Sequence, residues 1–248
     1  MSASVPALSP EALVRRLRDA LPDQARVYVP GVAAEPYALA QAFRAQPGLA
    51  DGLTFFGVWI PGVNRTDWSD VGGASRFETL FLGPELREGF KAGRVAFHPF
   101  TYTQAWDWLS ETPADAAMLQ VSAPDGEGLC SLSLSCDFTP AIWERAKVRV
   151  AQINPALPPM PGAPKIPLSA FDAVSELDTE PRGYEAGRLP PAFGQIAGHV
   201  AALVPDGAAV QFGLGKVQLA VLPALKAHKG LTIHSGMVSD PLLEILPG

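Results

Sequence analysis

Two glycines stand where an apolar run meets a helical pattern, in the segment VQFGLGKVQLAVLPAL (210–225). At a strand-to-helix turn, Gly213 and Gly215 permit backbone dihedrals that other residues avoid and let a ligand approach the main chain closely. The helix that follows offers unpaired N–H groups and partial positive charge to an anion or an oxyanion. A dinucleotide fingerprint would need a third glycine, where the chain has Gln218, and an acidic residue about twenty residues on, where it has His234. The pattern predicts an anion- or oxyanion-binding turn, with a plain tight turn as the alternative.

A second candidate loop is SAPDGEGLCSLSLSCDF (122–138), which follows an apolar run. Loops beyond the strand ends of α/β sheets are where ligands usually bind, so Ser122 and Pro124 are pocket candidates. None of the serines lies in the G-x-S-x-G setting of a nucleophile elbow. A long turn without function is the alternative.

The four histidines of the chain argue against a metal-binding function. His98, His199, His228 and His234 lie in four separate segments, without the i, i+4 spacing or Cys/His clustering of a metal site. Of the four, His234, at the end of a predicted strand, is the strongest site candidate. No metal site is predicted.

Composition narrows the class of protein further. A net charge of −6 without a basic cluster argues against a nucleic-acid partner. No apolar run reaches the roughly 18 residues of a membrane span, and the N-terminus lacks the order of a signal peptide. Cys130 and Cys136 have neither disulfide-framework count nor CxxC spacing, which indicates free thiols in a reducing, cytoplasmic protein.

Short apolar runs alternate with helical patterns through most of the chain. The runs that predict strands are residues 26–30, 53–59, 94–99, 115–122, 147–154, 208–212 and 231–234. The first helical pattern begins with Ser9 as N-cap and Pro10 at the first helical position, and a second begins near Pro36. Further helical patterns lie near residues 101–109, 138–146, 190–204 and 217–228. Most runs are apolar at nearly every position, as in parallel strands buried on both faces. The sequence therefore predicts an open, mostly parallel α/β sheet with crossover helices.

Two segments interrupt this alternation. Residues 60–78 are rich in Gly and polar residues, and residues 154–167 contain six prolines. The second is predicted to be an irregular surface connection, or alternatively a linker between two subdomains. The tryptophans and Phe55/Phe56 are interpreted as core, with an acyl-group pocket as the alternative for Trp59, Trp68, Trp106 and Trp108.

Four stretches together resemble the acetyl-CoA hydrolase/transferase family. MLQVSAPDGEGLCSLSLSCDFT is similar to the family's QVSPPDxxGxxSLGxS, and VAQINPALPPMPGAPKIPLSAFDAVSE to its EVNxxMPxxxGxxxIxxxxxDxxVE. IAGHVAALVPDGAAVQFGLGKVQLAVLPAL is similar to IAxxVAxLIxDGxxLQxGIGxxPxAVxxxL, and LTIHSGMVSD to LGIHTEMxSDG. The stretches occur in the family's order and spacing, from about residue 25 to the end.

The resemblance implies a CoA-transferase-type α/β fold in which two similar domains face each other across the active site. Such enzymes move CoA between an acyl-CoA thioester and a small carboxylic acid through a nucleophilic glutamate. Acyl-CoA would be the substrate, with no permanently bound cofactor, and a homodimer is expected by family analogy. The matching oxyanion loop is Gln211, Gly213, Leu214 and Gly215, and His234 and Met237 flank the matching strand end.

Departures from the family pattern bear on activity. The glutamate position is Gly236, which carries no nucleophile, and Gln218 replaces the proline of the family's glycine loop. We expect residues 1–248 to be the N-terminal domain, without the family's second domain. We expect it to be cut from a longer protein because the chain enters PLLEIL, the first turns of a helix, and then finishes at Pro247-Gly248. A natural terminus with a docked helix is the alternative, and truncation predicts a large apolar patch on one side.

Three functional hypotheses follow. The first is half of a CoA transferase or acyl-CoA hydrolase. The second is a catalytically impaired acyl-CoA-binding or regulatory module. The third is an unrelated α/β hydrolase or sugar-phosphate isomerase, for which neither a nucleophile elbow nor a convincing isomerase base is visible.

Overall fold

The structure is a computed structural model that describes residues 5–184 and 187–245. The chain divides into two compact units, Met1–Tyr184 and Glu185–Gly248, which we call the larger and the smaller unit. The division falls after Tyr184, beyond the proline-rich segment 154–167.

The larger unit alternates strands and helices along the chain. Its strands are β1 (Arg26–Tyr28), β2 (Thr54–Phe56), β3 (Arg76–Thr79), β4 (Val95–Phe97), β5 (Ala116–Val121), β6 (Leu129–Ser131), β7 (Val148–Ile153), β8 (Lys165–Pro167) and β9 (Ala173–Glu176). Its helices are α1 (Pro10–Asp19), α2 (Tyr37–Arg44), α3 (Arg87–Lys91), α4 (Tyr102–Glu111) and α5 (Thr139–Ile142).

Seven of these strands form one parallel sheet in the order β4-β3-β2-β1-β5-β7-β9. The predicted open, mostly parallel sheet with crossover helices is confirmed. The longest pairing joins β5 and β7 over six residues each, and every residue of β5 is buried, as its continuous apolar pattern predicts.

Helix α1 shows how local sequence places an element on the core. The Ser9 side chain accepts a hydrogen bond from the amide of Ala12, and Pro10 opens the helix, as predicted. Leu13 and Leu17 recur on one face and are completely buried in the cluster beneath the sheet.

The aromatic residues divide between core and surface. Trp59 and Trp68 are completely buried, and Trp59 packs edge-on against Phe77 with ring centroids 4.9 Å apart. The core interpretation is therefore wrong for Trp106, which is 45% exposed on α4.

Some elements lie where the sequence predicted irregular structure. β3 occupies the end of the polar segment 60–78; it is short and only half its residues are buried, and parallel pairing with β2 and β4 holds it. β8 ends the proline-rich segment and pairs antiparallel with β6, with Pro167 at the strand end, where proline is tolerated. β9 and α3 were not predicted either.

The smaller unit contains α6 (Ala192–Leu203), β10 (Ala209–Val210), α7 (Lys216–Ala224) and β11 (Thr232–Ile233). β10 and β11 pair in parallel, so α7 is a crossover helix, as the sequence predicts. The segment expected to begin a helix forms a 3₁₀ turn over Asp240–Glu244, and its last residue, Leu246, lies outside the described residues.

Candidate functional site

The two loops that the sequence selected in the smaller unit lie side by side at the carboxyl ends of β10 and β11. The His234 amide continues the ladder by donating to the Val210 carbonyl at 3.0 Å. Beyond it, the Ser235 hydroxyl donates to the Phe212 carbonyl at 2.7 Å and ties loop 211–215 to loop 234–237. The same hydroxyl accepts from the Met237 amide at 3.3 Å. Ser235 was not a predicted site residue. Its position between the candidate residues His234 and Gly236 is the sequence signal that could have identified it.

The glycine turn has the backbone that its sequence predicts. Gly215 is the N-cap of α7 with φ of +143°, a conformation that favours glycine, whereas a β-carbon on Gly213 would meet no atom within 4 Å. Gln211 and Gly213 are exposed, and Leu214 is half-buried. Because α7 has nine residues and no side-chain cap, its first amides remain available to an acceptor.

A groove of about 800 Å³ runs along these elements. It is lined mainly by apolar side chains of α6, of α7 and of segment 204–212, which contains β10, and Gln211 and Gly213 contribute to it. Several apolar side chains of this unit are exposed, including Leu203 at 82% and Val238 at 81%. The geometry places polar backbone groups next to an apolar surface, which suits a ligand with a polar head and an apolar body.

Position 236 is open. Gly236 is exposed, and a β-carbon there would meet no atom within 4 Å. A β-carbon therefore fits at this position without displacing a neighbour. Asp240 and Glu244, the nearest carboxylates downstream, lie in or at the start of the 3₁₀ turn and are exposed.

The pocket candidates of the larger unit stabilise a local turn. Ser122 is buried; its hydroxyl donates to the Ala123 carbonyl at 2.9 Å and accepts from the Ser131 amide at 2.9 Å. Pro124 is exposed. Their assignment to a ligand pocket stays a prediction.

A buried polar cluster that the sequence did not reveal lies at the carboxyl end of β1. Asn64, fully buried, accepts from the amides of Val32 and Ile60 at 2.9 Å each. Its amide group donates to the Val32 carbonyl and to Oε2 of Glu35, both at 3.0 Å. Burial raises the pKa of the Glu35 carboxyl, and hydrogen bonding from Asn64 opposes the rise. The partners are distant in sequence, so no local motif signals the cluster.

Asp137 is a second residue whose buried environment the sequence did not reveal. Its backbone is left-handed, with φ of +37°, and its Oδ2 is buried without a hydrogen-bond partner. Burial raises its pKa to about 7, while a hydrogen bond from the Phe138 amide opposes the rise. The negative charge of Asp137 adds to burial in raising the pKa values of Tyr28 and Tyr102.

Within residues 5–184 and 187–245, no group of three or more His, Cys, Asp or Glu side chains is placed to hold a metal ion. No helix in the described part of the chain has the length and apolar character to cross a membrane.

Comparison with known proteins assigns the family. Residues 21–181 match the family described as acetyl-CoA hydrolase/transferase N-terminal domain. The chain belongs to the acetyl-CoA hydrolase/transferase family. The matched segment corresponds closely to the larger unit.

Among curated relatives, the 4-hydroxybutyrate coenzyme A transferase of Clostridium kluyveri is 34% identical over 69% of this chain and 40% of its own length. The succinyl-CoA:acetate/propanoyl-CoA:succinate CoA transferase of Fasciola hepatica is 32% identical over 91% of this chain and 48% of its own length. The chain thus spans less than half the length of these two relatives.

Among solved structures, a 4-hydroxybutyrate CoA-transferase from Porphyromonas gingivalis is similar with a TM-score of 0.68 and 26% identity, covering 97% of this chain and 56% of that one. RipA from Yersinia pestis gives a TM-score of 0.80 at 24% identity, covering 97% of this chain and 58% of that one. The RipA likeness shows the fold alone.

Proposed function

We propose that this chain forms the N-terminal half of a CoA transferase that moves CoA between an acyl-CoA thioester and a small carboxylic acid. The observation that carries the proposal is the meeting of the Gly213–Gly215 turn and the His234–Met237 loop beside an apolar groove. The named activities of the curated relatives support it. CoA and acyl-CoA would be substrates, and no permanently bound cofactor is required. The cytoplasm, where acyl-CoA is available, is the proposed location.

Backbone amides at the start of α7 would stabilise the negative charge that develops on the thioester oxygen. Because Gly236 has no carboxylate, the acceptor acid itself would attack the thioester carbonyl. This step forms a C–O bond and yields a mixed anhydride and the CoA thiolate. The thiolate then attacks the acceptor's carbonyl in the anhydride, forming the new thioester and releasing the donor acid as its carboxylate.

The rest of the catalytic surface is proposed to come from a segment equivalent to the remaining length of the relatives, either in the same polypeptide or in a partner. By family analogy the assembled enzyme would be a homodimer. Ser122 and Pro124 remain proposed pocket residues.

A second function is favoured by one specific observation, the open glycine at position 236. A protein that keeps the groove and the glycine turn but lacks the nucleophile would bind acyl-CoA without turnover. Such a module would regulate or sequester its ligand. Measurable turnover by the wild type would indicate the transferase, and acyl-CoA binding without turnover would indicate the binding module.

The test is to incubate the protein with acetyl-, propionyl-, butyryl- and succinyl-CoA, with and without acetate. Free thiol is followed optically and acyl exchange by mass spectrometry. Acetate-dependent exchange supports the transferase, and thiol release without exchange indicates a hydrolase. Gly236→Glu adds a carboxylate at a position where a β-carbon meets no atom within 4 Å, and Gly236→Gln is its uncharged control. Binding without turnover in the wild type, with exchange appearing only in Gly236→Glu, would favour the binding module.

A further inference from the structure

The apolar groove of the smaller unit starts at the glycine turn and follows α7. Gln211 and Gly213 lie at its turn end. Along α7 and its C-cap, the wall of the groove contains Val217, Val221 and Leu225. Residues four apart share one face of a helix, and at 1.5 Å per residue these three side chains extend over about 12 Å. The groove therefore has room for an extended carbon chain that begins at the turn.

The polarity of the groove changes along its length. Its two polar side chains, Gln211 and Gln218, are both at the turn end, where Oε1 of Gln218 would lie 2.7 Å from a β-carbon on Gly215. The wall beyond them is formed by valine, leucine, alanine and proline side chains. A thioester carbonyl is polar and the chain attached to it is apolar. The polarity therefore orients an acyl group with its carbonyl at the turn and its chain along α7.

The walls of the groove leave apolar surface in contact with water. Leu203, at the end of α6, is 82% exposed, and Val217, in the first turn of α7, is 39% exposed. An alkyl chain that lies between them removes both surfaces from water, which is the driving force of hydrophobic binding.

Charge in the groove distinguishes between kinds of acyl group. None of the described residues that line it has a charged side chain, and the nearby cations Lys216 and Lys226 are exposed outside it. A carboxylate that moves from water to an apolar site without a partner loses far more free energy of solvation than a neutral group does. A chain that ends in a carboxylate is therefore disfavoured, whereas a terminal methyl group gains from burial.

We propose that this groove receives the acyl chain of the CoA thioester and selects uncharged alkyl chains over chains of the same length that end in a carboxylate. Identification of the ligand as a transferase substrate rests on the proposed function. A relative is named for succinyl-CoA, so this selectivity does not follow from membership of the family.

The test measures binding of free CoA and of acetyl-, butyryl-, hexanoyl- and succinyl-CoA to the whole chain by calorimetry. Butyryl and succinyl groups have the same number of carbon atoms and differ in the terminal methyl or carboxylate. We expect each added methylene to tighten binding about two- to fourfold, since burying one stabilises by up to about 0.8 kcal/mol. Succinyl-CoA should bind at least about tenfold more weakly than butyryl-CoA.

A charged variant should change this order. Val221 is half-buried in the middle of the groove wall, and Val221→Lys should weaken hexanoyl-CoA and strengthen succinyl-CoA, because it supplies a counter-ion. Val238→Lys, the same substitution at a position that is 81% exposed and outside the groove, is the matched control and should keep the wild-type order. If Val221→Lys folds poorly, Val221→Thr preserves the side-chain size and should flatten the dependence on chain length.

Several results would overturn the proposal. These are equal affinity for butyryl- and succinyl-CoA, an affinity that is independent of chain length, and absence of acyl-CoA binding. Self-association of the wild type that Val221→Lys abolishes would also overturn it, because a second copy of the chain would then cover the groove. Selective binding without CoA exchange would leave the proposal standing while the transferase proposal fails. Exchange without preference for uncharged chains would have the opposite meaning.

Discussion

Asp137 offers a sharp test of how burial controls charge in the larger unit. The free carboxyl titrates near 3.8, and in the fold its pKa is about 7. Between these values the native state binds more protons than the unfolded chain, so stability falls as pH rises and levels off above about pH 7. At 1.36 kcal/mol per pKa unit the shift corresponds to about 4 kcal/mol. The residue keeps some surface exposure, which reduces the expected effect to on the order of 3 kcal/mol.

Asp137→Asn removes the ionisation while keeping the shape. We expect the variant to be more stable than the wild type by about 3 kcal/mol at pH 8, and the difference to shrink below about 1 kcal/mol near pH 4. The assay is urea unfolding from pH 4 to 8.5, followed by tryptophan fluorescence, since all five tryptophans lie in the larger unit.

Asp107→Asn, an exposed carboxylate on the neighbouring α4, is the control and should leave the pH dependence of stability unchanged. A stability difference between Asp137→Asn and wild type that stays constant across the pH range would refute the reasoning. So would a variant that is less stable than the wild type at pH 8.

Asn64→Ala removes four buried hydrogen bonds and should lower the free energy of unfolding, measured in urea, by about 3–5 kcal/mol. A loss under about 1 kcal/mol would contradict the conclusion that these hydrogen bonds hold the loop after β1 in place. Gly31→Ala would place a β-carbon 1.9 Å from a backbone oxygen and should strongly lower the midpoint temperature of thermal unfolding. Gly126→Ala, whose β-carbon would meet no atom within 4 Å, should not lower it. Equal midpoints would show that the loop after β1 shifts to accommodate the β-carbon. Arg26 and His98 overcome burial to hold the pKa of Glu78 below its usual value, so Glu78→Gln should cost about 1 kcal/mol at pH 7. That cost should vanish as pH falls through the lowered pKa, and a cost independent of pH would exclude the ion pairs as its source.

Local patterns in the chain were enough to predict much of the fold. Strands β5 and β7 were predicted from segments that are apolar at most positions, as expected of parallel strands buried on both faces. The start of α1 followed from Ser9 and Pro10, since capping involves only neighbouring residues. Four stretches in the family's order and spacing carried the family resemblance, and the comparisons confirmed the family.

Elements that depend on distant partners were not predictable in the same way. β3 and β9 have four residues each, too few to show a period, and only pairing across the sheet makes them strands. β8 lies in a proline-rich segment and becomes a strand because β6 supplies its hydrogen bonds.

The sequence by itself determined the alternation of strands and helices, the family, and the glycine at position 236, because each depends on residue type and short spacing. Only the tertiary structure decided that Asn64 and Glu35 meet at the carboxyl end of β1, and that the Asp137 carboxyl is buried. The pKa of a carboxyl group depends on the solvent and charges around it, which chain folding brings together from distant positions.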